Sequence, residues 1–177
     1  LQTLNLKSCH ELKSLPDRFG ECKSLTSLNL QLCKSLVSLP DSIGDLTSLT
    51  KLDLFNCTKL VSLPERFGEL DLKVLSLSYC EALTMDVEIN KIVEMKNLTE
   101  LYIGSTNISA LPERIGGLTS LSKLELISTP AGRSMPAALK AQLEAQGCQR
   151  VDVGWHPVSS SNFLKNERFG PLSVPSR

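Results

Sequence analysis

From Leu1 to about residue 155 the apolar residues recur in one phrase, L-x-x-L-x-L-x-x-C/T. Units open at Leu1, Leu25, Leu49, Leu72, Leu98, Leu121 and Cys148, so the spacings are 24, 24, 23, 26, 23 and 27 residues. Within each phrase, apolar and polar residues alternate over a few positions, which predicts a short strand with one buried face. Every strand must return to the same place in the next unit, so the strands are expected side by side and parallel. The recurring Cys9, Cys33, Cys57, Cys80, Thr106 and Thr129 mark where the chain leaves its strand. Carbonyls lose their ladder partners there, and an inward thiol or hydroxyl supplies a donor that an alkyl group lacks.

A second phrase follows: "LPDRFG", "LPDSIG", "LPERFG" and "LPERIG". Proline pre-sets φ for a first helical position, an acid suits the positive helix end, and glycine is expected to close the turn. Phe19, Ile43, Phe67 and Ile115 are then driven into the core, along with Leu12, Leu15 and their equivalents. Two units depart from this. In "LTMDVEINKIVEMKN", Met85, Ile89, Ile92 and Met95 keep helical spacing and predict a helix near 86–95. In "SMPAALKAQLEAQGC", Pro136 opens and Gly147 stops a predicted helix over 136–146. One unit cannot bury its own apolar face, so the expected fold class is an α/β solenoid. It has a parallel sheet of about seven short strands, with mostly short helical turns on the opposite side. Residues 1–157 form this domain. Residues 158–177 are expected to be a tail or a degenerate capping segment.

Composition adds exclusions. Lys plus Arg and Asp plus Glu are both 19, and a net charge of zero gives no footprint for nucleic acid or an anionic membrane. No apolar run approaches the roughly 20 residues that span a bilayer. The chain opens in mid-pattern without Met, as a piece of a longer protein would. All six cysteines fall on apolar positions of the repeat. They are expected to be buried, reduced and structural, which favours a cytoplasmic setting.

Candidate chemistry is sparse. His10 and His156, the only histidines, belong to no set with metal-ligand spacing, and no phosphate-cradling glycine loop is present. No catalytic residue, metal or cofactor is expected, and the chain is not read as an enzyme. Asn56, Asn97 and Asn107 match the glycosylation sequon, as a Ser- and Thr-rich chain does by chance. What remains is the outward face of the strands. Leu32, Phe55, Tyr79, Ile127 and Trp155 follow the last core residue of their strands, and Tyr102 lies one column inward. Lys51 with Asp53, Lys123 with Glu125, and Arg150 with Asp152 stand two apart beside them. Exposed aromatics bordered by charges are what a protein-binding surface uses. The expected partner-binding residues are Phe55, Tyr79, Tyr102, Ile127 and Trp155, with Lys51, Asp53 and Glu125. The competing reading is that some of them pack on one another or under the tail.

The composite pattern "LxxLxLxxCxxLxxLPxxIGxLxSL" resembles the leucine-rich repeats of plant intracellular immune receptors of the nucleotide-binding class. It is also similar to Ras-group-related leucine-rich repeat proteins and to large protist and bacterial repeat families. The resemblance implies a horseshoe that recognises a protein partner on its concave face. In the receptors such a domain also restrains an adjacent ATPase-type switch. The units without the LP phrase, the fourth and the sixth, depart from that template. Three expectations follow. The first is a non-catalytic recognition module. The second is a regulatory or sensing part of a larger switch ATPase, immune-receptor-like or enzyme chain. The third is a secreted receptor fragment glycosylated at Asn97 or Asn107. The oligomeric state is open.

Overall fold

A computed structural model describes residues 1–148 and, as backbone, the strand at 150–152. Seven strands form one parallel sheet in chain order. They are β1 (Thr3–Asn5), β2 (Ser27–Asn29), β3 (Lys51–Asp53), β4 (Val74–Ser76), β5 (Glu100–Tyr102), β6 (Lys123–Glu125) and β7 (Arg150–Asp152). The register repeats without slippage: Leu4, Leu28, Leu52, Leu75, Leu101, Leu124 and Val151 lie in one row. From Leu28 to Leu124 that row is fully buried. A one-residue slip would turn each leucine to the outer face, so the apolar alternation holds the register.

The position after each strand behaves as its chemistry requires, in two ways. Cys33, Cys57 and Cys80 are buried, and each Sγ donates to a carbonyl of the preceding unit: Leu6 at 3.2 Å, Leu30 at 3.3 Å and Leu54 at 3.1 Å. Thr106 and Thr129 donate instead to Ile103 and Leu126 of their own units, each at 2.7 Å. Burial pushes the Cys80 thiol up to about 12 and the Cys57 thiol higher still. Cys9 departs from the expectation. It is exposed, and Cys22 is half-buried.

The residue before each of these positions is left-handed: Ser8, Leu32, Asn56, Tyr79, Ser105 and Ser128 have φ between 51 and 64°. No glycine advertises this. The turn is held by hydrogen bonds on both sides, since the Leu32 N–H reaches the Phe55 carbonyl and the Cys33 N–H the Leu30 carbonyl.

On the opposite side, "LPDRFG" and its kin form 3-10 turns at Asp17–Glu21, Asp41–Asp45, Glu65–Glu69 and Glu113–Gly117. Phe19, Ile43, Phe67 and Ile115 enter the core as expected. The prolines sit one residue earlier than expected, at the cap, with extended backbone; the Pro16 carbonyl accepts the first bond, from Phe19 N–H at 2.9 Å. The glycines also have a different task. Gly20, Gly44 and Gly68 have no left-handed φ and do not close the turn. They are where adjacent units touch: a Cβ on Gly20 would lie 2.1 Å from the Ser42 carbonyl oxygen, and one on Gly68 would lie 2.8 Å from that of Lys91.

The fourth unit replaces the 3-10 turn with α1 (Met85–Ile92), and Met85, Ile89, Ile92 and Met95 are all buried. The next unit clamps this helix. The Asp86 carboxylate accepts from the Ser109 N–H at 2.8 Å and hydroxyl at 2.7 Å, and Asn107 Oδ1 accepts from Met85 N–H. The sixth unit carries α2 (Pro130–Arg133), absent from the sequence reading, and α3 (Ala137–Ala145) where a helix was expected. Thr129 starts α2 because its hydroxyl also accepts from Gly132 N–H at 3.0 Å.

Candidate recognition surface on the sheet

Register converts the repeat into columns of outward side chains. The first column runs Thr3, Ser27, Lys51, Val74, Glu100, Lys123; the second runs Asn5, Asn29, Asp53, Ser76, Tyr102, Glu125. A third continues the ladder past the strands, because the Phe55, Ser78, Gly104 and Ile127 carbonyls accept from Leu32, Asn56, Tyr79 and Ser105. The expected aromatic stripe is therefore assembled from residues 23 to 47 apart in sequence, by register alone.

Its members differ in accessibility. Phe55 and Tyr102 are only 7% and 3% exposed, Tyr79 and Ile127 are half-buried, and Lys51 is exposed. The Phe55 and Tyr79 rings lie 5.2 Å apart at an interplanar angle of 60°, a tilted pair that the left-handed backbone at Tyr79 accompanies. Tyr102 sits between Ser76 and Glu125, donates its hydroxyl to Glu100, and has the Lys123 ammonium 4.7 Å above its ring. Trp155 and the tail 158–177 lie outside the described residues, as do the side chains of Arg150 and Asp152.

Two of the expected charges have structural tasks. Asp53 is 2% exposed, and its Oδ1 accepts from Phe55 N–H at 2.8 Å. Asn5 and Asn29 make the same bond two residues ahead, to Lys7 and Gln31 N–H at 2.9 Å. The second column thus begins with three Asx turns in register, a signal visible in the sequence as "NLK", "NLQ" and "DLF" and missed there. Glu125 is 2% exposed beside Gly104, where a Cβ would come within 2.5 Å of its Oε1. Glycine at 104 makes room for that carboxylate. Ser78 is fully buried in the third column and its hydroxyl has no hydrogen-bond partner.

The surface therefore has two parts. Toward β1 it is polar and accessible, with Thr3, Asn5, Lys7, Ser27, Asn29, Gln31 and Lys51 exposed or half-buried. From β3 to β6 it is an aromatic and carboxylate cluster with little exposed area. Among the described residues no group of three or more Cys, His, Asp or Glu is placed to hold a metal ion. No helix of these residues is long and apolar enough to cross a membrane.

No protein-family model matches the sequence, and no curated protein matches it. Solved structures match the fold. An internalin of Listeria monocytogenes is 20% identical, with a TM-score of 0.55, over 89% of this chain and 48% of its own. A leucine-rich repeat protein of Bacteroides thetaiotaomicron is 14% identical, with a TM-score of 0.54, over 67% of this chain and 18% of its own. The chain thus spans about half the length of the internalin. With the repeat, the sheet and these likenesses together, the fold is a leucine-rich repeat solenoid.

Proposed function

We propose that this chain is a non-catalytic protein-recognition module that holds a partner protein on its strand face. The observation that supports it most is the register-built cluster of Phe55, Tyr79 and Tyr102, next to an accessible polar field ending at Lys51. Aromatic anchors beside a polar rim make the arrangement of an interface centre. Ile127 extends the cluster, while Asp53 and Glu125 hold its backbone and side chains in place and orient the charges a partner meets. Trp155 belongs to the proposal on its repeat position alone. A reducing, cytoplasmic setting accords with Cys33, Cys57 and Cys80, because a donor Sγ must carry its proton. The wider possibility, that the module is the sensing part of a larger switch protein, rests on the resemblance of the repeat phrase.

The test begins with photo-crosslinking residues placed at Ser27 and Lys51 on the strand face and at Arg18 and Val61 on the opposite side. A partner captured from the strand face and identified is then titrated against Lys51→Glu, Tyr79→Ala and, as a control, Arg18→Glu. Strand-face substitutions are expected to weaken binding by about tenfold or more each, with the thermal midpoint of Lys51→Glu unchanged. Capture only from Arg18 and Val61, or weakening only by Arg18→Glu, overturns the reading.

A further inference from the structure

Part of the sheet's outward face is buried, although the described helices and 3-10 turns all lie on the opposite side. In the second column Asp53, Ser76, Tyr102 and Glu125 are 2%, 2%, 3% and 2% exposed. In the third, Phe55, Ser78 and Gly104 are buried as well. A sheet with its core on one face normally leaves the other to water. Shading by neighbours on the sheet does not by itself seal a column. Asn29 lies between Asn5 and Asp53, and Gln31 between Lys7 and Phe55, yet both are only half-buried. The sealed residues therefore mark a covered band, two columns wide, that runs across the strands from β6 to β3 and stops before β2. Inside it the Ser78 hydroxyl is buried with no hydrogen-bond partner, a polar group left for the cover to meet.

We propose that residues 158–177 of this same chain cover the band, laid across the strands from β7 back toward β3 as a built-in occupant. Three observations favour that segment. The chain leaves β7 at Asp152, one strand beyond the band, so the segment starts where the burial does. From β7 to β3 is roughly 19 Å at about 4.8 Å per strand, a span that about six extended residues cross. The chemistry also matches. In "FLKNERF", Lys165 and Arg168 stand between Phe163 and Phe169, and with Arg177 against the single Glu167 they leave the segment net positive. The band offers the carboxylates of Asp53 and Glu125, with Glu100 on its border, and the rings of Phe55, Tyr79 and Tyr102. Tethering gives the segment an effective concentration on the order of millimolar, so a weak contact is enough to hold it. The consequence rests on the partner reading of this face: a partner must displace the segment before it can bind.

Tyr79 and Tyr102 are the only tyrosines, so their reactivity reports on the cover. The whole chain is treated with N-acetylimidazole, and acetylation of Tyr102 is followed by mass spectrometry. Phe163→Asp together with Phe169→Asp is expected to speed that acetylation by about tenfold or more, with the thermal midpoint of the solenoid little changed. In a second measurement, a photo-crosslinking residue at Phe169 is expected to join to strand-face residues of β3 to β6 within the same molecule. Tyr102 equally slow in the doubly substituted chain overturns the proposal and leaves shading by neighbouring side chains as the cause of the burial. Crosslinks that fall on the 3-10 turns of the opposite side, or only between molecules, overturn it too. Neither readout uses a partner. Failure here leaves the partner reading standing, and failure to capture a partner leaves this contact standing.

Discussion

The units that end their strands in cysteine and those that end them in threonine solve one problem differently. Both must supply a donor to a carbonyl stranded by the turn. The thiols of Cys33, Cys57 and Cys80 reach back 26 or 27 residues into the preceding unit, whereas the hydroxyls of Thr106 and Thr129 reach back three within their own. The longer C–S bond and larger sulfur let a thiol span to the neighbouring unit. A hydroxyl bonds at shorter range and stays local. The opposite side of the solenoid divides differently: the first three units and the fifth carry 3-10 turns, the fourth carries α1 although it ends its strand in Cys80, and the sixth carries α2 and α3. Gly20 and Gly44 lie so close to the backbone of the next 3-10 turn, and Gly68 so close to that of α1, that glycine is obligatory. Gly116, in the fifth unit and facing α3, instead meets first the end of the Gln142 side chain. Contact between units is thus backbone-tight at Gly20, Gly44 and Gly68 and is made by a flexible side chain at Gly116.

The largest test of that contrast is at the glycines. Gly20→Ala drives a methyl into the Ser42 carbonyl and is expected to destabilise by about 2–3 kcal/mol, a fall of several degrees in midpoint. Gly116→Ala displaces a flexible side chain and is expected to stay within about 0.5 kcal/mol. Equal losses at the two sites, measured by urea denaturation, would erase the distinction.

Next in size are the strand exits. Cys57→Ala removes a buried sulfur and the donor to the Leu30 carbonyl of the neighbouring unit, at an expected 1.5–2 kcal/mol, about. Thr106→Val keeps the volume and removes only a local bond, at about 1 kcal/mol. If coupling between units is the difference, Cys57→Ala alone also lowers the denaturant slope, because a less coupled array unfolds less cooperatively.

Alkali separates the regions by charge. The Cys80 thiol is held up to about 12 in the fold against an ordinary value of 9.0, so above pH 9 the unfolded chain has lost a proton that the folded chain keeps. Stability therefore falls as pH rises from 9 toward 12, by about 1.4 kcal/mol per pH unit for each such thiol. Cys80→Thr is expected to remove one proton's worth of that slope, while Thr106→Cys adds it.

Acid probes the junction between the two regions. The Ser109 N–H and hydroxyl hold the Asp86 carboxyl below its ordinary value. The stability it contributes is present above the ordinary carboxylate range and is lost as pH falls through the lowered value. Being exposed, the pair contributes below about 1 kcal/mol, and Asp86→Asn is expected to flatten the stability profile below pH 4 by no more than that.

Most of this architecture was legible in the leucines. Their spacing carries the strand register, the helices of the fourth and sixth units and the inward phenylalanines and isoleucines, because burial dictates those residues. The left-handed exits were not legible: Ser8, Leu32, Asn56 and Tyr79 share no side-chain property, and φ there is held by a hydrogen bond to the next unit and another within the same turn. The glycines were visible but misread as turn closers, since only three-dimensional stacking shows what a methyl would strike. On the strand face, register was predictable and aligned the aromatics. Accessibility was not, as Asp53 shows, a charge whose first duty is to its own backbone.

Directionality follows from the thiol bonds. Each acceptor carbonyl belongs to a unit made earlier on the ribosome than the cysteine that donates to it. As the chain emerges, every new turn of the cysteine region finds its anchor already laid down, so this part of the spiral can wind up in the order of its synthesis without waiting for what comes after.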